Sequence, residues 1–285
     1  MNTSRSTEIW KVANTTGSLD VELDRIANLP APAELEDAVY TSIRTYFRET
    51  GVPKYLEISR HLKRLEESLT IEHHGYKVDD YLVKQATSIA VARSAFQGEL
   101  RIKIIIAPRR KNPVLLVIEP LKTPSSEDIQ NGVSVFTMPY LRKDPRAKVF
   151  EFVETQEQIR EQFGQHVEEV IMLDMSGGML EGLSSNFFVI MGGSIFTAGR
   201  RILRGVTRKI VLEIAKKEGI PVAFRKPNSS QQEMFEECFI TSTSRGILPV
   251  SSIDHKVIGP GKPGPITVHL RRLFEARIPE LVEPL

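Results

Sequence analysis

From residue 54 the chain runs KYLEISRHLKRLEESLT, in which Leu56, Leu62, Leu65 and Leu69 fall near one helical face with charge on the other. That spacing predicts a helix over 54–70. Two runs of another kind follow, LRIKIIIAP at 100–108 and NPVLLVIEP at 112–120, both closed by proline and separated by the turn-like RRKN. They predict a β-hairpin. The polar stretch LKTPSSEDIQN at 121–131, with proline and serine between apolar runs, is the expected linker between a small α/β domain over 1–120 and a larger domain over 132–285.

Beyond the linker, VSVFTM reads as a strand, and the second half of DPRAKVFEFVETQEQIREQFG reads as a helix stopped at Gly164. Three short strands are expected in EEVIMLDM, MLEGLSSNFFVIM and SIFTA, joined by glycine pairs at 177–178 and 192–193. In GVTRKIVLEIAKKEG, Val206, Ile210, Val211, Ile214 and Ala215 form the buried stripe of a helix ended by Gly219. IPVAF, EECFITSTS and LPVSSI read as further strands, and ITVHLRRLFEARI as a closing helix. Strands and helices mix throughout, so the expected class is α/β or α+β, with no internal repeat.

Composition narrows the function classes. In 285 residues, Lys+Arg 38 against Asp+Glu 36 gives a net charge of +2, too balanced to point to nucleic acid or a membrane surface. Basic clusters such as APRRKNP read as solvated loops. The single cysteine, Cys238, excludes an intrachain disulfide, and MNTSRSTEIWKVANTTGS lacks the apolar core of a signal peptide. No apolar run reaches bilayer length. A cytoplasmic location is expected; an organelle transit peptide removed beforehand would leave no trace.

One carboxylate stands out. Glu181 sits in MLEGLSSNFFVI, a run otherwise apolar, small or hydroxylic. Other signals are weaker. GPGKPGP at 259–265 satisfies G-x-G-x-x-G, but its prolines and the lack of a following βαβ unit make it a turn. The six histidines contain no H-E-x-x-H, so no metal site is expected, and His73 and His74 read as loop surface. In ILRGVTRKIV, a glycine precedes a helix whose first amides belong to Val206 and Thr207, which is either an anion site or a simple cap. ITSTSRGI adds the hydroxyls of Thr241, Ser242, Thr243 and Ser244, which could bind phosphate oxygens or cap the next turn. Together they suggest a phosphate.

The ordered segments LDMSGGMLEGLSSNFFVI, ILRGVTRKIVLEIAKKEGIPV, EECFITSTSRGILPV and GPGKPGPITVHLRRLF resemble the carboxy-terminal half of the class IV aminotransferases. These are the fold-type IV pyridoxal-phosphate enzymes: branched-chain and D-amino acid aminotransferases and aminodeoxychorismate lyase. DAVYTSIRTYF and RHLKRLEES resemble the amino-terminal half. The resemblance implies a two-domain α/β fold, pyridoxal 5′-phosphate as cofactor, an amino acid and a 2-oxo acid as substrates, and a homodimer.

It also implies roles. Glu181 matches the glutamate that faces the cofactor's pyridine nitrogen, where an anion keeps that nitrogen protonated. Lys148, in PRAK a little over thirty residues earlier, matches the Schiff-base lysine, with Lys143 the poorer candidate. Arg64 matches the arginine that pairs with the cofactor phosphate; locally it also reads as a helix-surface arginine. The amides of Val206 and Thr207 and the hydroxyl of Thr243 would complete the phosphate cup, with Ser244 as a further donor. Tyr40 and Arg101 fall where the family recognises substrate, and equally read as a core tyrosine and an exposed-strand arginine.

The sequence departs from the family in places. Val153 stands where the branched-chain enzymes have a tyrosine, Gly246 where an acidic residue is usual, and the loop TAGRRILRG is short and carries Arg200 and Arg201. The expected activity is transamination. The alternatives are β-elimination, as in aminodeoxychorismate lyase, and a degenerate member acting as a binding or structural protein.

Overall fold

The computed structural model describes residues 7–13, 21–72, 75–164 and 167–285; the expectation for His73 and His74, and most of that for the amino terminus, lies outside them. The chain forms two compact units. The first takes Met1–Lys122, Ala147–Val153 and Glu280–Leu285, and the second Thr123–Arg146 and Glu154–Pro279. The first unit thus recruits two segments distant in sequence, which a boundary drawn along the chain does not reveal.

In the first unit, β1 (Glu8–Ala13), β2 (Glu22–Ile26), β3 (Val39–Tyr46), β4 (Lys54–Leu56), β5 (Leu100–Ile106) and β6 (Val114–Pro120) join a final strand, β16 (Val282–Pro284), in a sheet ordered β16-β4-β3-β5-β6-β1-β2. The predicted hairpin is β5 and β6, paired from Leu100–Pro120 to Ile106–Val114. Its unbroken apolar runs follow from burial on both faces. Ile102, Ile104 and Ile106 pack on the side of α1 (Ile58–Ile71) and α2 (Asp80–Arg93), while Ile105, Leu115 and Val117 join Ile9, Leu35 and Tyr40 on the other. The helix predicted over 54–70 begins at Ile58. Residues 54–56 are strand β4, and Glu57 makes the change of direction with φ of 49°.

The second unit begins with α3 (Ser126–Asn131), inside the expected linker, where Ser125 and Asp128 form a capping box. Then come β7 (Val133–Pro139), α4 (Phe152–Phe163), β8 (Glu169–Leu173), β9 (Met179–Gly182), β10 (Asn186–Met191), β11 (Ser194–Phe196), α5 (Val206–Lys217), β12 (Val222–Ala223), β13 (Glu237–Ser242), β14 (Gly246–Ile253), β15 (Lys256–Val257) and α6 (Pro265–Leu281). The sheet path β10-β13-β14-β7-β8-β9 returns on itself through a β9–β10 pairing, which closes a six-stranded ring. Each ring strand contributes to one core, including Val135, Ile171, Met179, Phe187, Ile240 and Leu248.

MLEGLSSNFFVIM is therefore two strands and not one. The turn at 183–185 separates them, and β9 carries a bulge: Leu173 pairs Met179 and Ile171 pairs Gly182, so β9 holds one residue more than β8 over that interval. The extra residue resets the alternation. Met179 points into the ring, while Glu181, opposite Asn186, shares the outer face with it.

Candidate active site

Each unit carries one cluster of the expected residues. In the first, residues 147–150 lie along the part of β3 that β4 leaves uncovered, since β4 pairs only Thr45 and Tyr46. Tyr40 N donates to Lys148 O at 2.9 Å, Phe150 N donates to Ala38 O at 2.7 Å, and Val39 bridges Val149. Lys148 N donates to Ser68 Oγ on α1 at 3.1 Å, which fastens the lysine's backbone to a second element. Its Nζ lies 4.4 Å from the Tyr40 ring centroid, a cation over an aromatic face. Tyr40 in turn meets the edge of Phe150, and Val153 packs against the same group, an apolar contact where the branched-chain enzymes have tyrosine.

Arg64 lies one turn before Ser68. It is buried, its Nη2 donates to Thr41 Oγ1 at 2.7 Å, and its Nε has no acceptor among the described residues. Burial lowers its pKa to about 10. A buried guanidinium without a carboxylate partner is costly unless an anion binds it, so a ligand phosphate fits. The surface reading of Arg64 is thereby overturned: α1 turns Arg64 inward with Leu62 and Leu65. Arg101 lies apart. It pairs with Glu119 at 2.6 Å, opposite Arg44 and about 13 Å along β5 from the partner of Tyr40.

In the second unit Glu181 is buried and well partnered. Its Oε1 accepts from Arg142 Nη1 at 3.1 Å, and its Oε2 accepts from Leu203 N at 2.9 Å and Asn186 Nδ2 at 3.3 Å. These donors favour the ionised carboxylate, the form a pyridinium requires. A cavity of about 230 Å³ opens beside it, lined by Tyr140, Arg142, Leu180 and Arg201 among others. Asn186 Nδ2 also donates to Leu203 O at 2.8 Å, which holds the loop leading to α5. That helix starts at Gly205 with no side-chain cap, so the amides of Val206 and Thr207 remain available to an anion.

Thr243 and Ser244 occupy the turn between β13 and β14, next to Arg245. Arg245 bonds Ser242, Ser184, Glu168 and Glu169. Burial alone would raise the Glu169 pKa; the charges of Arg245 and Arg160, with hydrogen bonds from Arg245 and Ser184, outweigh it and hold the carboxyl below its usual range. Gly246 adopts φ of 62°, a conformation that disfavours the acidic side chain usual in the family. GPGKPGP forms a turn into α6, whose first amides are taken by Glu237. Among the described residues no group of His, Cys, Asp or Glu is arranged to hold a metal, and no helix is long and apolar enough to cross a membrane. Sequence reasoning passed over Arg142, Asn186 and Arg245, whose partners come from elsewhere in the fold.

Comparison with known proteins settles the family. The amino-transferase class IV family matches residues 38–253. The chain belongs to the class IV aminotransferases. With that membership come the family's fold, its transaminase reaction and its cofactor, pyridoxal 5′-phosphate. The chain is 29% identical over 260 residues to the probable branched-chain-amino-acid aminotransferase of Thermotoga maritima, covering 87% of this chain and 89% of that one. It is 32% identical over 164 residues to the D-alanine aminotransferase of Bacillus licheniformis, 56% of each chain. In three dimensions this class IV chain is similar to the branched-chain amino acid aminotransferase of Thermobaculum terrenum in its PLP form, at TM-score 0.76, 20% identity and 97% coverage of each chain. It also resembles that of Thermoproteus uzoniensis with norvaline, at TM-score 0.77, 20% identity and 97% and 98% coverage.

Proposed function

We propose that this protein transfers an amino group between an amino acid of the branched-chain-like or D-amino acid type and a 2-oxo acid, with Lys148 and Glu181 as its central residues. When bound, pyridoxal 5′-phosphate supplies the electron sink for deprotonation at the substrate Cα. Lys148 Nζ would hold the cofactor and serve as the proton carrier at the substrate Cα. Glu181 would face the ring nitrogen of the bound cofactor and favour its protonated form. Arg64, the amides of Val206 and Thr207, and the hydroxyls of Thr243 and Ser244 hold the phosphate. Tyr40, beside the Lys148 amine, orients the substrate; Arg101, paired with Glu119 and set apart along β5, stands outside this cluster. A homodimer and a cytoplasmic location belong to the same reading.

The observation that carries it is Arg64, a buried cation with no acidic partner among the described residues, one turn from the serine that fastens the Lys148 backbone. The deciding experiment is the absorption spectrum from 300 to 500 nm before and after L- and D-amino acids, with Lys148→Ala as control. A visible band absent from the variant and bleached by particular amino acids supports the proposal and reports chirality. No band after incubation with pyridoxal phosphate overturns it. Release of pyruvate from a substrate with a leaving group at Cβ, without formation of the aminated cofactor, would favour β-elimination instead.

A further inference from the structure

His61 lies on α1 one turn before Arg64, is buried, and has no part in the roles above. Its Nδ1 is 2.9 Å from Thr41 Oγ1, and the same oxygen accepts from Arg64 Nη2 at 2.7 Å. A guanidinium can only donate, so the Thr41 oxygen serves it as acceptor; the Thr41 side chain is buried with no other hydrogen-bond partner among the described residues, so its hydroxyl hydrogen stays paired only if it goes to Nδ1. Nδ1 is then the bare nitrogen of a neutral imidazole, with the proton on Nε2. A threonine hydroxyl otherwise rotates; these two bonds fix it. Because the guanidinium is planar, anchoring Nη2 at Thr41 narrows the directions open to Nε, which is buried without an acceptor among the described residues.

We propose that His61 is a positioning residue for the cofactor phosphate: acting through Thr41, it holds the Arg64 guanidinium in the orientation that meets the phosphate. This rests on the reading of Arg64 as a phosphate ligand. With leucine at 61, the Thr41 hydrogen loses its acceptor and the hydroxyl turns freely beside the guanidinium. With glutamine, an amide oxygen can take the place of Nδ1.

The test uses apoprotein of the full chain and two probes, pyridoxal 5′-phosphate and pyridoxal, which share ring and aldehyde but differ in the phosphate. Binding is followed by visible absorption in wild type, His61→Leu, His61→Gln, Thr41→Val and Arg64→Gln. His61→Leu is expected to weaken the phosphorylated probe about tenfold and leave pyridoxal unchanged, with His61→Gln within about threefold of wild type. Thr41→Val, which removes the bridging hydroxyl at nearly constant shape, is expected to match His61→Leu and decides the matter if that variant does not fold. Equal weakening of both probes assigns His61 a merely structural role and overturns the proposal. So does unchanged affinity in His61→Leu or Thr41→Val while Arg64→Gln is weakened, an outcome that leaves the role of Arg64 standing. Unchanged affinity in Arg64→Gln removes the reading beneath.

Discussion

Glu181 and Asn186 form the registered pair through which β9 meets β10, so the residues that close the ring of strands are also those that present the buried carboxylate. The Asn186 amide is one of the donors that make this tolerable, beside Arg142 and the Leu203 amide, and it donates to Glu181 and to Leu203 O together. Asn186→Asp keeps the shape and replaces the donor with a second acid. Two carboxylates at hydrogen-bond distance cannot both ionise without strong repulsion, so the pair would share a proton and one pKa would rise. The variant is expected to lose stability as pH rises from 5 to 8, over a range where wild type does not. Thermal midpoints across that range check it; parallel pH profiles for the two proteins would refute it.

The local parts of this arrangement are legible in the sequence and the long-range parts are not. The stripe of α5 and the glycine before it can be read directly, because spacing and cap lie within a few residues. The hairpin of β5 and β6 is equally plain. By contrast α2 escapes notice because its buried face is built from Val83, Ala86, Thr87, Ala90 and Val91, too small and mixed to stand out from the polar side. The bulge in β9 cannot be seen in MLEG, since an extra residue shows only against a partner strand. Arg245 looks like a turn residue until Glu168 and Glu169, more than seventy positions upstream, arrive beside it. Lys148 is legible only through a resemblance, because the fold-back of 147–150 onto β3 leaves no local mark, whereas Glu181 stands out in its own run and takes only its expected role from the resemblance.

Gly205 is required by space and not by backbone freedom, for its φ of −62° suits any residue. A Cβ there would fall well inside van der Waals contact with Asn186 Oδ1. Gly205→Ala must therefore push the start of α5 away from Asn186 and shift the amides of Val206 and Thr207. Overpacking of this kind costs about 1–3 kcal/mol. The expected result is a lower thermal midpoint and weaker cofactor binding, read by calorimetry and by absorption titration. A fully stable variant with normal cofactor affinity would show that the helix start can move freely.

Arg245 holds the turn that carries Thr243 and Ser244 by bonding Glu169, whose carboxylate is buried. Arg245→Met leaves that carboxylate with Arg160, at 3.6 Å, as its one cationic partner among the described residues. Breaking a buried pair in this way costs about 3–5 kcal/mol. In wild type the depressed Glu169 pKa means its contribution is present above the ordinary carboxylate range and lost as pH falls through the folded value. In the variant burial dominates and Glu169 takes up a proton on folding, so the deficit should shrink toward acid. Urea unfolding at pH 7.5 and 5.5 tests this, and a deficit that is constant or grows in acid would refute it.

His61 makes the pH dependence of the apoprotein specific. Burial, then the charges of Arg64 and Lys148, hold its pKa well below the usual histidine value of 6.5. In the folded state it stays neutral where the unfolded chain has begun to bind a proton. The unfolded state therefore binds more protons as pH falls below 6.5, and stability must drop with it. Above 6.5 both states are neutral and the effect vanishes. For one such group the slope approaches about 1.4 kcal/mol per pH unit. Between pH 6.5 and 5 this loss should appear in wild type and be absent from His61→Gln, whose side chain does not titrate. Glu169 and Asp174, both held below their usual values, act mainly at lower pH, and the difference between wild type and His61→Gln isolates the histidine. Unfolding free energies at half-unit steps decide the point. If both proteins follow the same curve, His61 takes up its proton as readily folded as unfolded, and the hydroxyl of Thr41 does not donate to it.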